Sequence, residues 1–173
     1  MSRRANEDRE GSDVHTVEPV PQGRNPRRAS SRATYRLLTF VVAAGLAVDA
    51  YVHWKLAPDF YGIQGTASPH ISQGGLFLLE AVLALVAMLL VLLTRSRLGA
   101  LVAFLVAAGG LGAVLLYAYV DVGGLGPLPN MYDPIWYPEK TISAIAEGVA
   151  ALGALALLTL PYLASDRESS TSS

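Results

Sequence analysis

The sequence predicts an all-α membrane protein built as a four-transmembrane-helix bundle, with signs of two tandem helical hairpins. Three observations predict it. Of 173 residues, 52% are hydrophobic and only 16% are charged, with a mean hydropathy of +0.39. A soluble domain is nearer a quarter charged. The charges are also segregated: residues 1–34 hold 12 Asp, Glu, Lys and Arg, and residues 35–164 hold another 12 spread over a far longer stretch. Finally, four stretches are each long enough for the roughly 20 apolar residues that cross a bilayer core. These features exclude a soluble enzyme, a collagen and a fully disordered chain. With no Cys in the chain, disulfides and thiolate metal sites are excluded as well.

The elements follow in order. Residues 1–34 are charged, carry Pro19, Pro21 and Pro26, and contain no aromatic residue. Such a segment buries too little apolar surface to fold alone, so a disordered tail is expected. Its apolar run begins too late for a signal peptide. The first span is expected over 35–56. It is cleanly apolar from Leu37 to Val48, then meets Asp49, His53 and Lys55. The second, 71–94, has one charge, Glu80, and the third, 98–120, has none. The fourth, 141–164, again has one, Glu147. Together, 35–165 form the expected membrane domain, and 166–173 a short polar tail.

Orientation follows from Lys and Arg, which favour the cytoplasmic side. Arg24, Arg27, Arg28, Arg32 and Arg36 precede span one, and Arg95 and Arg97 sit in the turn between spans two and three. The other two loops offer only Lys55 and Lys140. Both termini are therefore expected in the cytoplasm of a multi-pass plasma-membrane protein. The two longer loops face outward. Trp54, Tyr132, Trp136 and Tyr137 fall in or beside those loops, where Trp and Tyr anchor at the headgroup level. The loop 121–140 holds three glycines and four prolines, with Glu139 and Lys140 leading into span four. It is expected to lie down on the outer membrane surface.

A repeat is suggested by Ala50-Tyr51-Val52-His53 at the end of span one and Ala118-Tyr119-Val120-Asp121 at the end of span three. One carboxylate follows inside the next helix in each half, Glu80 and Glu147. Two hairpins in tandem would be related by an axis along the membrane normal. The competing explanation is chance, because Ala and Val are abundant throughout.

The intramembrane polar groups are the candidate site. At about 1.5 Å per helical residue, Asp49, Glu80 and Glu147 all lie roughly 10–12 Å inside the outer helix ends. His53 is one turn above Asp49 on the same helix face. Tyr117 aligns with Asp49 in the repeat and reaches the same layer. Ionisable groups in a membrane are costly and face a partner or a cavity. Asp49, His53, Glu80, Tyr117 and Glu147 are therefore expected to form one buried polar cluster open to the outer face. It serves either as a ligand, cation or proton site, or as a hydrogen-bond network that fixes helix register.

No metal site is expected, because His15, His53 and His70 form no closely spaced pair of the kind that zinc sites use. A bis-His haem would need both rings near midplane depth on facing helices, and His70 reads as a loop residue, so no cofactor is expected. Nucleotide-binding and nucleophile-elbow motifs are absent, and nothing in the charge pattern suggests nucleic acid. Small residues at four-residue spacing, Gly99, Ala103 and Ala107 in span three with Ala146, Ala150 and Ala154 in span four, let helix backbones approach closely. They predict a tight contact between those two spans, or a homo-oligomer seam.

The stretch Asp49–Ala57, Ser72-Gln73-Gly74 with Glu80, and Gly126–Tyr132 through Trp136–Lys140 together resemble a group of small four-span membrane proteins from actinobacteria. That resemblance spans about 35–163 and implies location and topology, not an activity. The helix plan is also similar to DoxX-like membrane proteins as a fold-level analogy. Three functional readings remain. The first is a non-enzymatic membrane component that binds a partner or assembles with itself in the lipid bilayer. The second is a proton- or cation-linked small-solute transporter working as an oligomer. The third is a quinone- or haem-linked redox accessory.

Overall fold

The computed structural model describes residues 26–170, with side-chain surroundings for 33–160. Of the tail expected to be disordered over 1–34, residues 1–25 lie outside the described residues, as does His15, and 26–34 are helical in backbone. Four helices follow one another: α1 (Pro26–Leu56), α2 (Gln73–Thr94), α3 (Arg97–Tyr119) and α4 (Pro138–Ser170). A short 3-10 turn, Ala57–Phe60, follows α1. All four helices are long and apolar enough to cross a membrane. The bundle is all-α, with no strand among the described residues and only two isolated bridges.

Hydropathy located the spans, but two helices run past them. The backbone of α1 is helical from Pro26 and that of α4 through Ser170, beyond the expected limits at 35 and 164. An apolar stretch ends where side chains become polar; the ladder of backbone bonds does not have to end there. Pro26 and Pro138 each stand first in their helix, where the missing N–H is not needed and the fixed φ is already helical.

The bundle is a ring in which each helix packs on its sequence neighbours and α1 packs on α4, while α1 and α3 barely touch across the diagonal. The interior is rich in small residues, beside a few large ones such as Leu46 and Leu157. Ala84, Ala87, Ala103, Ala107, Ala150 and Ala154 are fully buried, while Leu79, Val82, Leu89, Leu93, Leu105 and Leu152 point outward. This inverts a water-soluble bundle. Lipid tails are as apolar as Leu, so burying Leu gains little and close backbone packing decides which residues go inside.

The small-residue stripes are buried within the chain. Their partners also differ in part from expectation. Helices α3 and α4 do pack together, with Gly148 facing Leu111. However, Ala146 and Ala150 meet Gly45 of α1, where an added Cβ would lie 2.8 Å from the Ala146 carbonyl oxygen. Gly153 likewise meets Val42 of α1, and Gly99 meets the end of α2. A helix presents small residues around much of its circumference when it has two neighbours, and a linear spacing does not say which neighbour takes which residue.

The turn between α2 and α3 is tight. Arg95 ends α2 in the left-handed conformation (φ 46°), and the Ser96 hydroxyl caps α3 by accepting from the Gly99 N–H at 3.0 Å. The Tyr35 hydroxyl donates to the Arg95 carbonyl at 3.0 Å and ties α1 to this turn. At the opposite end, the two long connections interlock. The Ala67 N–H donates to the Gly126 carbonyl (3.3 Å) and the Ile71 N–H to the Pro127 carbonyl (3.2 Å). Gly65 makes this possible, since a Cβ there would sit 2.0 Å from the Pro127 carbonyl oxygen. The second connection therefore packs on the first and buries Pro129.

Candidate functional site

The polar residues expected in one layer do converge. Asp49 is completely buried on α1. The Ser143 hydroxyl of α4 donates to its Oδ1 at 2.6 Å. His53, one turn later on α1, brings Nδ1 to 2.9 Å from the same oxygen and 3.2 Å from the Asp49 backbone carbonyl. A carbonyl only accepts, so the tautomer with hydrogen on Nδ1 makes that contact, and the other tautomer leaves Nδ1 a lone pair. Phe77 of α2 meets the His53 ring edge-on at 5.3 Å and limits how far it can swing.

Glu147 is also completely buried on α4, one turn beyond Ser143. Glu80 approaches from α2. Both carboxyl groups reach over Gly110 of α3, where an added Cβ would lie 2.4 Å from Glu147 Oε1 and 3.2 Å from Glu80 Oε1. Gly110 is therefore the notch in α3 that receives two carboxyl groups. Among the described residues, four buried carboxyl oxygens have no hydrogen-bond partner: Asp49 Oδ2, Glu80 Oε1 and both oxygens of Glu147. Leaving such atoms unmatched is expensive in a low-dielectric interior.

Beside this cluster lies a cavity of about 360 Å³. Leu76, Phe77, Ala113 and Val114 supply apolar wall, and His53, Glu80, Tyr117 and Ser143 supply its polar positions. Leu128, Met131, Asp133 and Tyr137 of the second long connection border it. That connection is pinned to α3 by the Asp133 N–H, which donates to the Tyr117 carbonyl at 3.0 Å. Lys140, at the start of α4, also lines the cavity. Its ammonium group donates to the Asp133 carbonyl, lies 3.6 Å from Asp133 Oδ2 and sits 5.5 Å above the Trp136 ring. A second ion pair, Lys55 with Glu139 at 3.0 Å, joins the end of α1 to the start of α4.

Each expected residue can now be placed. Asp49, His53, Glu80 and Glu147 belong to one cluster, and Tyr117 lines the adjoining cavity. Trp54 is exposed and meets Tyr51, while Tyr132 and Trp136 are partly exposed. Tyr137 differs, because it is half-buried against the cavity. Burial, and then the Asp133 and Glu139 carboxylates, push its phenol above the ordinary range, so it stays a neutral hydrogen donor.

Three contributors were missed from sequence. Ser143 stands one turn before Glu147, on its face, and that spacing was the available signal. Lys140 read as a loop residue, and Gly110 carried no site assignment. The expectation of no metal site rested on spacing along the chain. Across α1 and α4, Asp49, His53 and Glu147 each offer a ligand atom within 4.8 Å of the others. His70 is held in its own loop, with Nδ1 2.8 Å from the Gly65 carbonyl.

No protein-family model, curated protein or solved structure matches the chain.

Proposed function

We propose that this membrane protein is a non-enzymatic cation-binding component whose cavity receives a positively charged species on a carboxyl floor. The observation that carries the reading is the set of four buried carboxyl oxygens without partners beside a 360 Å³ cavity. A carboxyl oxygen in that setting is matched by a proton, a cation or a donor from a ligand. Asp49, Glu80 and Glu147 supply three acids, and the nearest Lys is engaged by Asp133. The surplus is acidic, so the complementary guest is positive.

The positive-inside bias supports a plasma-membrane orientation with both termini in the cytoplasm. In that orientation the cavity and the interlocked connections face outward. Tyr132, Trp136 and Trp54 then stand at headgroup level, and the guest enters from outside.

The test is unfolding of the detergent-purified protein against a panel of alkali, organic ammonium and divalent cations. A species that binds only the folded state stabilises it by about 2.7 kcal/mol at one hundred times its Kd. We expect at least one cation to raise the melting temperature saturably, with the effect lost in Glu80→Gln/Glu147→Gln. If no cation shifts the transition, the reading fails.

A second reading, cation- or proton-linked transport by an oligomer, is favoured by acids on three different membrane helices, an arrangement that marks ion pathways. Gradient-dependent flux in proteoliposomes, abolished by the same double substitution, separates transport from static binding.

A further inference from the structure

The cluster is more specific than a general acidic floor. We infer that Asp49, His53 and Glu147 form a binding site for one divalent transition-metal ion, with zinc the representative case. This rests on the reading of the floor as a cation site, and names the cation.

Donor chemistry supports it first. One imidazole and two carboxylates are ligands that zinc accepts. A nitrogen among them favours a transition metal over calcium or magnesium, which take oxygen ligands almost exclusively. Geometry supports it next. The three donor atoms lie within 4.8 Å of one another and come from two helices held together by Gly45 packed on Ala146 and Ala150. The site is thus built on rigid elements.

The unmatched atoms provide independent support. Asp49 and Glu147 are both completely buried. Asp49 Oδ2 and both Glu147 oxygens have no partner, whereas Asp49 Oδ1 is taken by Ser143 and His53. The free oxygens are therefore the ones that a metal would use. Ser143 would act from outside the ligand set, orienting the Asp49 carboxylate as outer-shell partners do.

Charge selects the valence. Two carboxylates and a neutral imidazole carry −2, which a divalent ion cancels and a monovalent ion leaves half uncompensated. In a low-dielectric bundle that residual charge is costly. Three protein ligands leave zinc a fourth position for water or another ligand. His53 and Ser143 line the cavity, so such a site adjoins the space from which that ligand would come.

The experiment uses the full-length, tag-free protein, stripped with chelator in mild detergent and titrated with zinc chloride. We expect saturable binding of one ion per chain. His53→Gln and Glu147→Gln should each weaken it by at least the 10- to 100-fold that loss of an outer-shell partner costs (roughly). Ser143→Ala should fall within about that 10- to 100-fold range. His70→Gln should leave the affinity unchanged.

Cobalt(II) reports the site independently of any substitution, because nitrogen–oxygen ligation in a low-coordinate site gives visible d–d bands that zinc then displaces. Absence of saturable uptake by the folded wild-type protein overturns the proposal. Uptake that is insensitive to His53→Gln but lost in His70→Gln overturns it equally. If zinc fails while an organic ammonium ion stabilises the fold, the metal proposal falls and the cation reading stands. If neither acts, both fall.

Discussion

The α1–α4 seam and the α2–α3 seam would be equivalent if the chain were two identical hairpins, yet they are built differently. Along α1–α4 the backbones close up at Gly45 against Ala146 and at Gly153 against Val42, and the seam carries the Asp49–Ser143 hydrogen bond. On the α2–α3 side packing is sparser, and Gly110 leaves room for Glu147 and Glu80 instead of a helix backbone. One seam is clamped by close backbone contact and the other is looser, and both border the cavity. Whatever the origin of the matching Ala-Tyr-Val segments, the halves have divergent roles: Asp49 of the first half is the hub of the cluster, and its counterpart Tyr117 lines the space beside it.

The sharpest way to break this contrast is to wedge the clamp. Gly45→Leu forces side-chain volume onto the Ala146 carbonyl and should cost about 3 kcal/mol, at the upper end of overpacking penalties. Unfolding in detergent reads the loss. An unchanged midpoint would mean that the two seams are equally tolerant.

Gly110→Ala should act less on stability, about 1–2 kcal/mol, because the Glu147 carboxyl is the flexible end of a side chain and can shift. Its larger effect falls on the site: cation-dependent stabilisation should drop, and the measurement is the same melt with and without the cation.

Ser143→Ala removes one hydrogen bond to a buried carboxylate and should cost roughly 1–2 kcal/mol. Ser143→Thr, which restores the hydroxyl, should recover part of it. Gly109→Ala is the smallest and opposite case. Nothing lies within 4 Å of a Cβ there, so the substitution should be neutral or stabilise by up to about 1 kcal/mol through helix propensity. A large loss at Gly109 would show that the neighbouring glycines of α3 are not distinguished as the packing implies.

The residues show where sequence reading reached and where it stopped. The spans were legible because an apolar run of bilayer length is a local property. Asp49, His53, Glu80 and Glu147 were legible as one layer because helical rise converts sequence offset into depth. Ser143 was within reach through its one-turn spacing to Glu147, but Ser is common enough in membrane helices to pass unnoticed. The bond it makes joins residues 94 positions apart, and no local pattern records that. Gly110 was visible only as a glycine until Glu147 and Glu80 were seen above it. The second long connection read as a surface segment because its aromatics suit an interface. The backbone bonds that its Gly126 and Pro127 carbonyls accept from Ala67 and Ile71 depend on the first connection having only hydrogen at Gly65.

By itself, then, the amino-acid sequence determined four apolar spans and the depth at which acids enter them, since apolar length and helical rise act along the chain. Only the tertiary structure decided which helices close tightly, which carboxyl oxygens lack partners, and that one histidine and two carboxylates come within ligating reach. Those outcomes depend on the azimuth and separation of helices, which packing of small side chains sets and composition does not encode.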